Sequence, residues 1–198
     1  MNNISFLKPL IIATESEIRK EILSNANLEC NYVSSNIDEE KIKQNFKFTN
    51  FYDLAIELAS AKSLEVSKKY KNTYVLGVDQ ICEFKNEILN KPGNLENCKK
   101  TLSKLSGNTH QQNCGMAISY NNEIIWTSYD VAELTMKVLS DKEIESYITK
   151  DNPFKCCGCY KYEQNGKNLF STVKGSIYTI QGLDIDTLIL HLRQNNFI

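Results

Sequence analysis

The run Tyr74-Val75-Leu76-Gly77-Val78 is followed at once by Asp79. A short continuous apolar stretch fits a strand buried on both faces, the kind found in α/β sheets, better than a half-solvated strand that alternates. An acid placed directly after such a strand cannot lie far from the core, and a buried carboxylate needs compensation. In open α/β sheets, ligands bind at the carboxyl ends of the strands. Asp79 is therefore the first candidate for chemistry, expected at the carboxyl end of a buried strand.

The flanking pattern supports an α/β reading. Pro9 to Thr14 is a short apolar run that leads through Ser16 into a helix-like ESEIRKEIL, and Leu28 to Ser34 suggests a second strand before a polar turn around Asn36 to Glu40. From Phe51 to about Tyr70 a long helix is expected, with Ala55, Ala59, Lys62 and Val66 on one stripe and Lys62 at the margin of its buried face. Asn94 can cap a helix carrying Leu95, Cys98, Leu102 and Leu105, and Ser106-Gly107 stops it. Residues 111–120 and 123–138 read as two strands joined at Asn121-Asn122. Ser140 with Glu143 forms a capping box, and Asp184 to Arg193 a last amphipathic helix. Early alternation of strands and helices, with strands clustered in the middle, favours a mixed sheet over all-parallel winding.

Composition narrows the function classes. The net charge of -1, with no concentrated Lys/Arg run, gives no support for nucleic-acid or membrane-surface binding. No stretch reaches the roughly 18 apolar residues of a membrane span, and residues 1–10 carry no export-signal pattern, so a cytoplasmic protein is expected. Seven cysteines, an odd number, then read as reduced thiols. The cluster Cys156, Cys157 and Cys159 has no matching second pair for zinc, and His110 and His191 are isolated, so packing thiols on a tight Gly158 segment are the favoured reading.

Three groups of residues have chemical potential. Ser16 and Arg19 stand where a strand turns into a helix, and a hydroxyl, a guanidinium and free backbone N–H groups suit a phosphate, although Glu17 would compete for the same positive helix end. Asp38, Glu39 and Asp79 are carboxylates that could hold Mg²⁺ or Mn²⁺ and leave one group to deprotonate water. Arg19, Lys62 and Lys91 are scattered cations whose spacing alone does not join them.

Taken in order, TESEIRKEIL, NIDEE, LASAKS, GVDQI, LNKPG, LSGNTH, PFKCCGCYKYEQNG and KGSIYTIQGL resemble the motifs of the Maf-like nucleotide pyrophosphatases over nearly the whole chain. The resemblance implies an α/β fold like that of the inosine triphosphate pyrophosphatases, an elongated mixed sheet with helices and a deep central cleft. It implies a single domain over residues 1–198, with room for a two-lobed form around that cleft, and a homodimer. The implied reaction converts a nucleoside triphosphate to its monophosphate and pyrophosphate with a divalent cation. By matched position, Asp79 is the proton acceptor and also, with Glu39, a metal position. Ser16, Arg19, Lys62 and Lys91 match phosphate-contacting positions.

Finer motifs separate subgroups. Asp79-Gln80, with Cys156 to Glu163 reading CCGCYKYE, is similar to the 7-methyl-GTP pyrophosphatases, whereas pyrimidine-directed members carry D-T and K-A-G-A-Y-G-I-Q. Gln80 and Glu163 are thus specificity candidates: a carboxylate can accept from both N1–H and the exocyclic amine of guanine. Ile18, where relatives carry an aromatic or arginine, is a third. Two alternatives stand beside this reading. A pyrimidine-type enzyme acting on dTTP or UTP is favoured by the spacing from Gly175 to Leu183, and a non-catalytic nucleotide-binding regulator of division by the altered Ser16-Glu17-Ile18 corner.

Overall fold

A computed structural model describes residues 8–47 and 49–198. Residues 1–7, part of the stretch read for an export signal, lie outside the described residues. The fold is mixed α/β, as expected, and in chain order β1 (Leu10–Ala13), α1 (Glu17–Asn25), β2 (Asn31–Tyr32), α2 (Glu39–Asn45) and α3 (Phe51–Ser67) precede β3 (Tyr74–Phe84) and β4 (Glu87–Ile88). There follow α4 (Leu95–Leu105), β5 (Thr109–Tyr120), β6 (Glu123–Met136), α5 (Asp141–Asp151), β7 (Phe170–Lys174), α6 (Ile177–Gln181) and α7 (Ile185–Gln194). Among the described residues seven strands form one sheet in the order β2-β1-β3-β5-β6-β7, with β4 on β3. β1 is parallel to β2 and β3, while β3 with β4 and β6 with β7 run antiparallel. Among the described residues no helix is long and apolar enough to cross a membrane.

The chain divides into two compact units, the first comprising residues 1–80, 114–130 and 182–198 and the second residues 81–113 and 131–181. In the first, Ile11, Ala13, Val66 and Val75 pack the β1, β3 and α3 surfaces together. α3 comes unusually close to the sheet because two glycines face it. A Cβ at Gly77 would lie 2.0 Å from the Ala59 carbonyl oxygen, and one at Gly115 2.3 Å from the Ala55 carbonyl carbon. The second unit is built around Cys82, Phe84, Leu102, Leu134, Ile144 and Phe170 from its strands, α4 and α5.

Local signals hold in detail. Ser140 accepts from the Glu143 amide at 3.4 Å while Glu143 accepts from the Ser140 amide at 2.7 Å, completing the capping box. Asn121 and Asn122 both have positive φ, 49° and 67°, as a two-residue hairpin turn with the strands' twist requires. Three expectations need correction. The strand carrying Asp79 does not end there: β3 continues to Phe84, and what ends is its parallel partner, whose last pairing is Ala13 with Gly77. Residues 36–40 are not simply a turn, because Asp38 accepts from the Lys41 amide at 3.0 Å and caps α2, so Glu39 opens a helix. The second strand contracts to Asn31–Tyr32, both exposed.

Candidate active site

Asp79 lies two residues beyond the end of β1, in the part of β3 no longer flanked by that strand, and is 7% exposed. Its compensation comes from α3. The close approach at Gly77 and Gly115 sinks that helix, so Lys62, on its buried stripe and 9% exposed, directs its ammonium at Asp79 and hydrogen-bonds Oδ1. The same Nζ pairs with Glu39 Oε1 at 2.7 Å. One ammonium thus bridges two carboxylates that are 40 residues apart in sequence, one buried in the sheet and one partly exposed on the first turn of α2. The Asp79 half of the bridge is a buried ion pair, while the Glu39 half is partly open to water.

Arg19, on the first turns of α1, donates from Nε to the Gly182 carbonyl at 2.8 Å and from Nη1 to the Val78 carbonyl at 3.0 Å. It ties α1 to the backbone just before Asp79 and to the turn before α7. Gly182 has φ 93°, and a Cβ there would sit 3.2 Å from both Arg19 Nη2 and Gln80 Oε1, so the guanidinium and the Gln80 amide close on the same glycine. Cys114 lies in the field of this group. Burial pushes its thiol up to about 12, with Arg19 opposing and the charges of Asp184 and Asp79 adding. Ser16 caps α1 without using its hydroxyl in the cap, its amide donating to Thr14 Oγ1 at 3.2 Å, and Ile18 is half-buried beside it. Glu17 points outward and pairs with Lys20 at 2.7 Å.

Ser16, Ile18, Arg19, Glu39, Lys62, Asp79 and Gln80 therefore all belong to the first unit, and within it Glu39, Lys62 and Asp79 meet directly. Lys91 and Glu163 belong to the second, both exposed. Lys91 follows β4 in an irregular segment. Glu163 rides a tight loop in which the Gln164 and Gly166 amides both donate to the Lys161 carbonyl, at 3.1 and 3.0 Å. A Cβ at Gly166 would lie 2.4 Å from that carbonyl oxygen, so the loop closes only around glycine. Asp151 fastens it, accepting from the Asn165 amide at 3.0 Å. Burial pushes the Cys156 thiol up to about 11, with Glu163 adding and Lys161 and Lys91 opposing, so all three charges act on that thiol.

The cysteine cluster sits on a short 3-10 segment, Cys157–Cys159, in which Gly158 has φ 74° and its hydrogen faces the Cys82 Sγ and Tyr160 ring. All seven cysteines are free thiols. Beyond the expected residues, the first unit brings Lys43 to this region. It lies one turn beyond Glu39 on α2, a helix the sequence conceals because EEKIKQN offers one apolar side chain and no periodicity. An i,i+4 acid–base pair after an Asp cap was the signal available.

With two carboxylates around one cation, a strand acid beside a helix lysine and an arginine strut, the arrangement suits chemistry on a polyanion. The sequence comparison decides the family: the model described as Maf-like protein matches residues 9–195. The chain belongs to the Maf-like family. Similar proteins include the nucleoside triphosphate pyrophosphatase of Legionella pneumophila strain Corby, 38% identical over 92% of this chain and 91% of that protein. Proteins of the same name from Nitrobacter winogradskyi, 35% identical over 94% and 93%, and Pelagibacter ubique, 32% identical over 94% and 98%, are also similar to this Maf-like chain. The structure of the Staphylococcus aureus Ham1 protein aligns with 95% of this chain and 100% of its own at 15% identity and a TM-score of 0.46.

Proposed function

We propose that this Maf-like protein hydrolyses a nucleoside triphosphate to the monophosphate and pyrophosphate, with Asp79 as general base. The named relatives are nucleoside triphosphate pyrophosphatases, hydrolases acting on acid anhydrides, and the carrying observation is the Lys62 ammonium held between Asp79 and Glu39.

The same observation tests the fit of a divalent cation. Two carboxylates already converge on one positive centre, and hard oxygen donors suit Mg²⁺ or Mn²⁺. Among the described residues no group of three or more His, Cys, Asp or Glu side chains could hold a metal alone. Asp79 and Glu39 would hold the cation, with phosphate oxygens and water completing its shell, as is usual for Mg²⁺ at phosphate sites. When bound, it supplies charge neutralisation at the phosphates.

The chain's own residues do the rest. Lys62 is poised to exchange a carboxylate for a phosphate oxygen, since both are anionic acceptors for the same N–H donors. That exchange leaves the Asp79 carboxylate to orient a water and accept its proton as the water oxygen bonds to the α phosphorus. The bond from that phosphorus to the bridging oxygen breaks, and pyrophosphate leaves with the electron pair. Arg19 holds β3 at the Val78 carbonyl, the residue before Asp79, so Asp79 stays in position. Ser16 and Lys91 are assigned to phosphate contact by their motif positions.

For the base, we favour a modified purine of the 7-methyl-GTP type. Glu163 would accept two hydrogen bonds from guanine and favour the positive charge of an N7-methylated ring. Gln80, fixed against Gly182, and half-buried Ile18 are the remaining specificity positions. The pyrimidine reading retains the segment from Gly175 to Leu183 in its favour. A panel of 7-methyl-GTP, GTP, dTTP and UTP with Mg²⁺ or Mn²⁺, scored for pyrophosphate, decides among them. Release of orthophosphate instead refutes the reaction, a preference for dTTP or UTP refutes the purine, and binding without turnover leaves the regulator. Asp79→Asn should lower kcat at least a hundredfold while nucleotide binding persists; retained turnover overturns its role.

A further inference from the structure

Lys43 is a charged group beside the ion cluster that neither the resemblance nor the mechanism uses. It projects from α2 one turn after Glu39, and residues four apart on a helix are neighbours. Glu39 is bonded to Lys62, and Lys62 to Asp79, so Lys43 borders the ion cluster through Glu39. Its side chain is only 17% exposed, unusual for a lysine on a short helix with no fully buried residue, whereas Lys41 on the same helix is exposed. Lys43 pairs with Glu40 Oε1 at 2.7 Å.

The charges around it explain why it stays protonated there. Burial works against its ammonium, but the Glu40 hydrogen bond and the charges of Glu40, Glu39 and Asp79 outweigh burial and hold its pKa above the ordinary lysine value. Lys43 therefore senses the same carboxylates that surround Lys62. The other cations of this unit's candidate site keep partners even after Lys62 gives up one carboxylate: Lys62 still pairs with the other, and Arg19 donates through Nε and Nη1 to two backbone carbonyls. A triphosphate with several negative charges entering beside three carboxylates needs a further positive group within reach.

We propose that Lys43 is an additional phosphate-binding residue, which exchanges Glu40 for an oxygen of the substrate's triphosphate or of product pyrophosphate. The inference rests on the reading of this cluster as a triphosphate site. Glu40 is one of its resting partners, a carboxylate 66% exposed and so able to return to water when the ammonium turns to a phosphate. Lys43 would thus act on binding, whereas Asp79 acts on the chemical step.

The test compares Lys43→Gln, Lys43→Arg and Glu40→Gln with wild type for KM, kcat and inhibition by inorganic pyrophosphate, each variant first checked for a native melting curve. Lys43→Gln should raise KM and the pyrophosphate inhibition constant about tenfold, equivalent to about 1.4 kcal/mol, with kcat within about twofold. Lys43→Arg should restore most of the loss. Glu40→Gln should leave KM unchanged or lower it, because it weakens one resting contact of the ammonium and leaves Lys43 itself in place. An unchanged KM in Lys43→Gln overturns the proposal, as does Glu40→Gln reproducing the rise, which would make the pair a structural brace. If wild type turns over no nucleotide, the proposed function fails separately; calorimetry with pyrophosphate then reads Lys43 alone, and equal affinity in wild type and Lys43→Gln overturns the inference.

Discussion

Replacing Lys62 with methionine keeps the length and apolar stem of the side chain and removes only the charge that Asp79 and Glu39 share. The side chain of Asp79 is 10% exposed, so its carboxylate would be left buried beside a second acid with no cation between them. Breaking a buried pair by deleting one partner costs about 3–5 kcal/mol, because the surviving charge has lost water and gained nothing. The Glu39 side chain is 36% exposed, and its half of the bridge adds less than about 1 kcal/mol. The loss should therefore fall near 3–5 kcal/mol, lowering the melting temperature by roughly 6–20 °C for a chain of this size. Adding Asp79→Asn removes the stranded charge, so Lys62→Met/Asp79→Asn should recover most of the stability. Thermal melts and urea titrations of wild type, both single variants and the double variant give the coupling between the two positions. If Lys62→Met melts within about 3 °C of wild type, or the double variant is no more stable than Lys62→Met, the cluster is not the buried pair described, and the mechanism loses its poised lysine.

Two further outcomes follow from the geometry. Gly77→Ala places a methyl 2.0 Å from the Ala59 carbonyl oxygen, backbone against which no side chain can yield, so α3 must lift; about 3 kcal/mol should be lost, and a melting curve within 2–3 °C of wild type would refute the close approach. His110, its Nε2 2.8 Å from the Tyr160 hydroxyl and 1% exposed, is lowered by burial to about 4. Its folded pKa lies below the unfolded value of about 6.5, so its contribution is intact above pH 6.5 and is lost as the unfolded chain takes the proton between about pH 6.5 and 4. That loss is on the order of 3 kcal/mol; His110→Asn should flatten the decline between pH 7 and 4.5, measured by urea unfolding, and an equally steep decline in the variant would assign it to other groups.

Elements with their own local signals were legible in the chain: the Ala55-Ala59-Lys62-Val66 stripe, the Ser140-Glu143 box and the Asn121-Asn122 turn each appear as read. α2 escaped because polar residues dominate it and its cap, Asp38, looks like any turn acid. The extension of β3 past Asp79 escaped because Asp79-Gln80 breaks the apolar run, and nothing local tells a strand that ends from one that loses its neighbour. The individual candidates could be picked out by residue type, but the meeting of Glu39, Lys62 and Asp79 could not. It depends on how near α3 lies to the sheet, and that is set by glycines whose meaning is the backbone opposite them.

α2 carries no fully buried side chain, while β3 is buried along most of its length. A helix of seven residues is well below the roughly 12–15 that can stand alone in water, so its order depends on contacts such as its cap, the Lys43–Glu40 pair and the bond from Glu39 to Lys62. Amide hydrogens in α2 should then exchange with solvent through local opening, and those around Asp79 only when the strand itself comes apart. The bridge therefore joins two clocks, a slow one in the sheet and a fast one on the helix, and each brief loss of Glu39 leaves Lys62 to Asp79 alone.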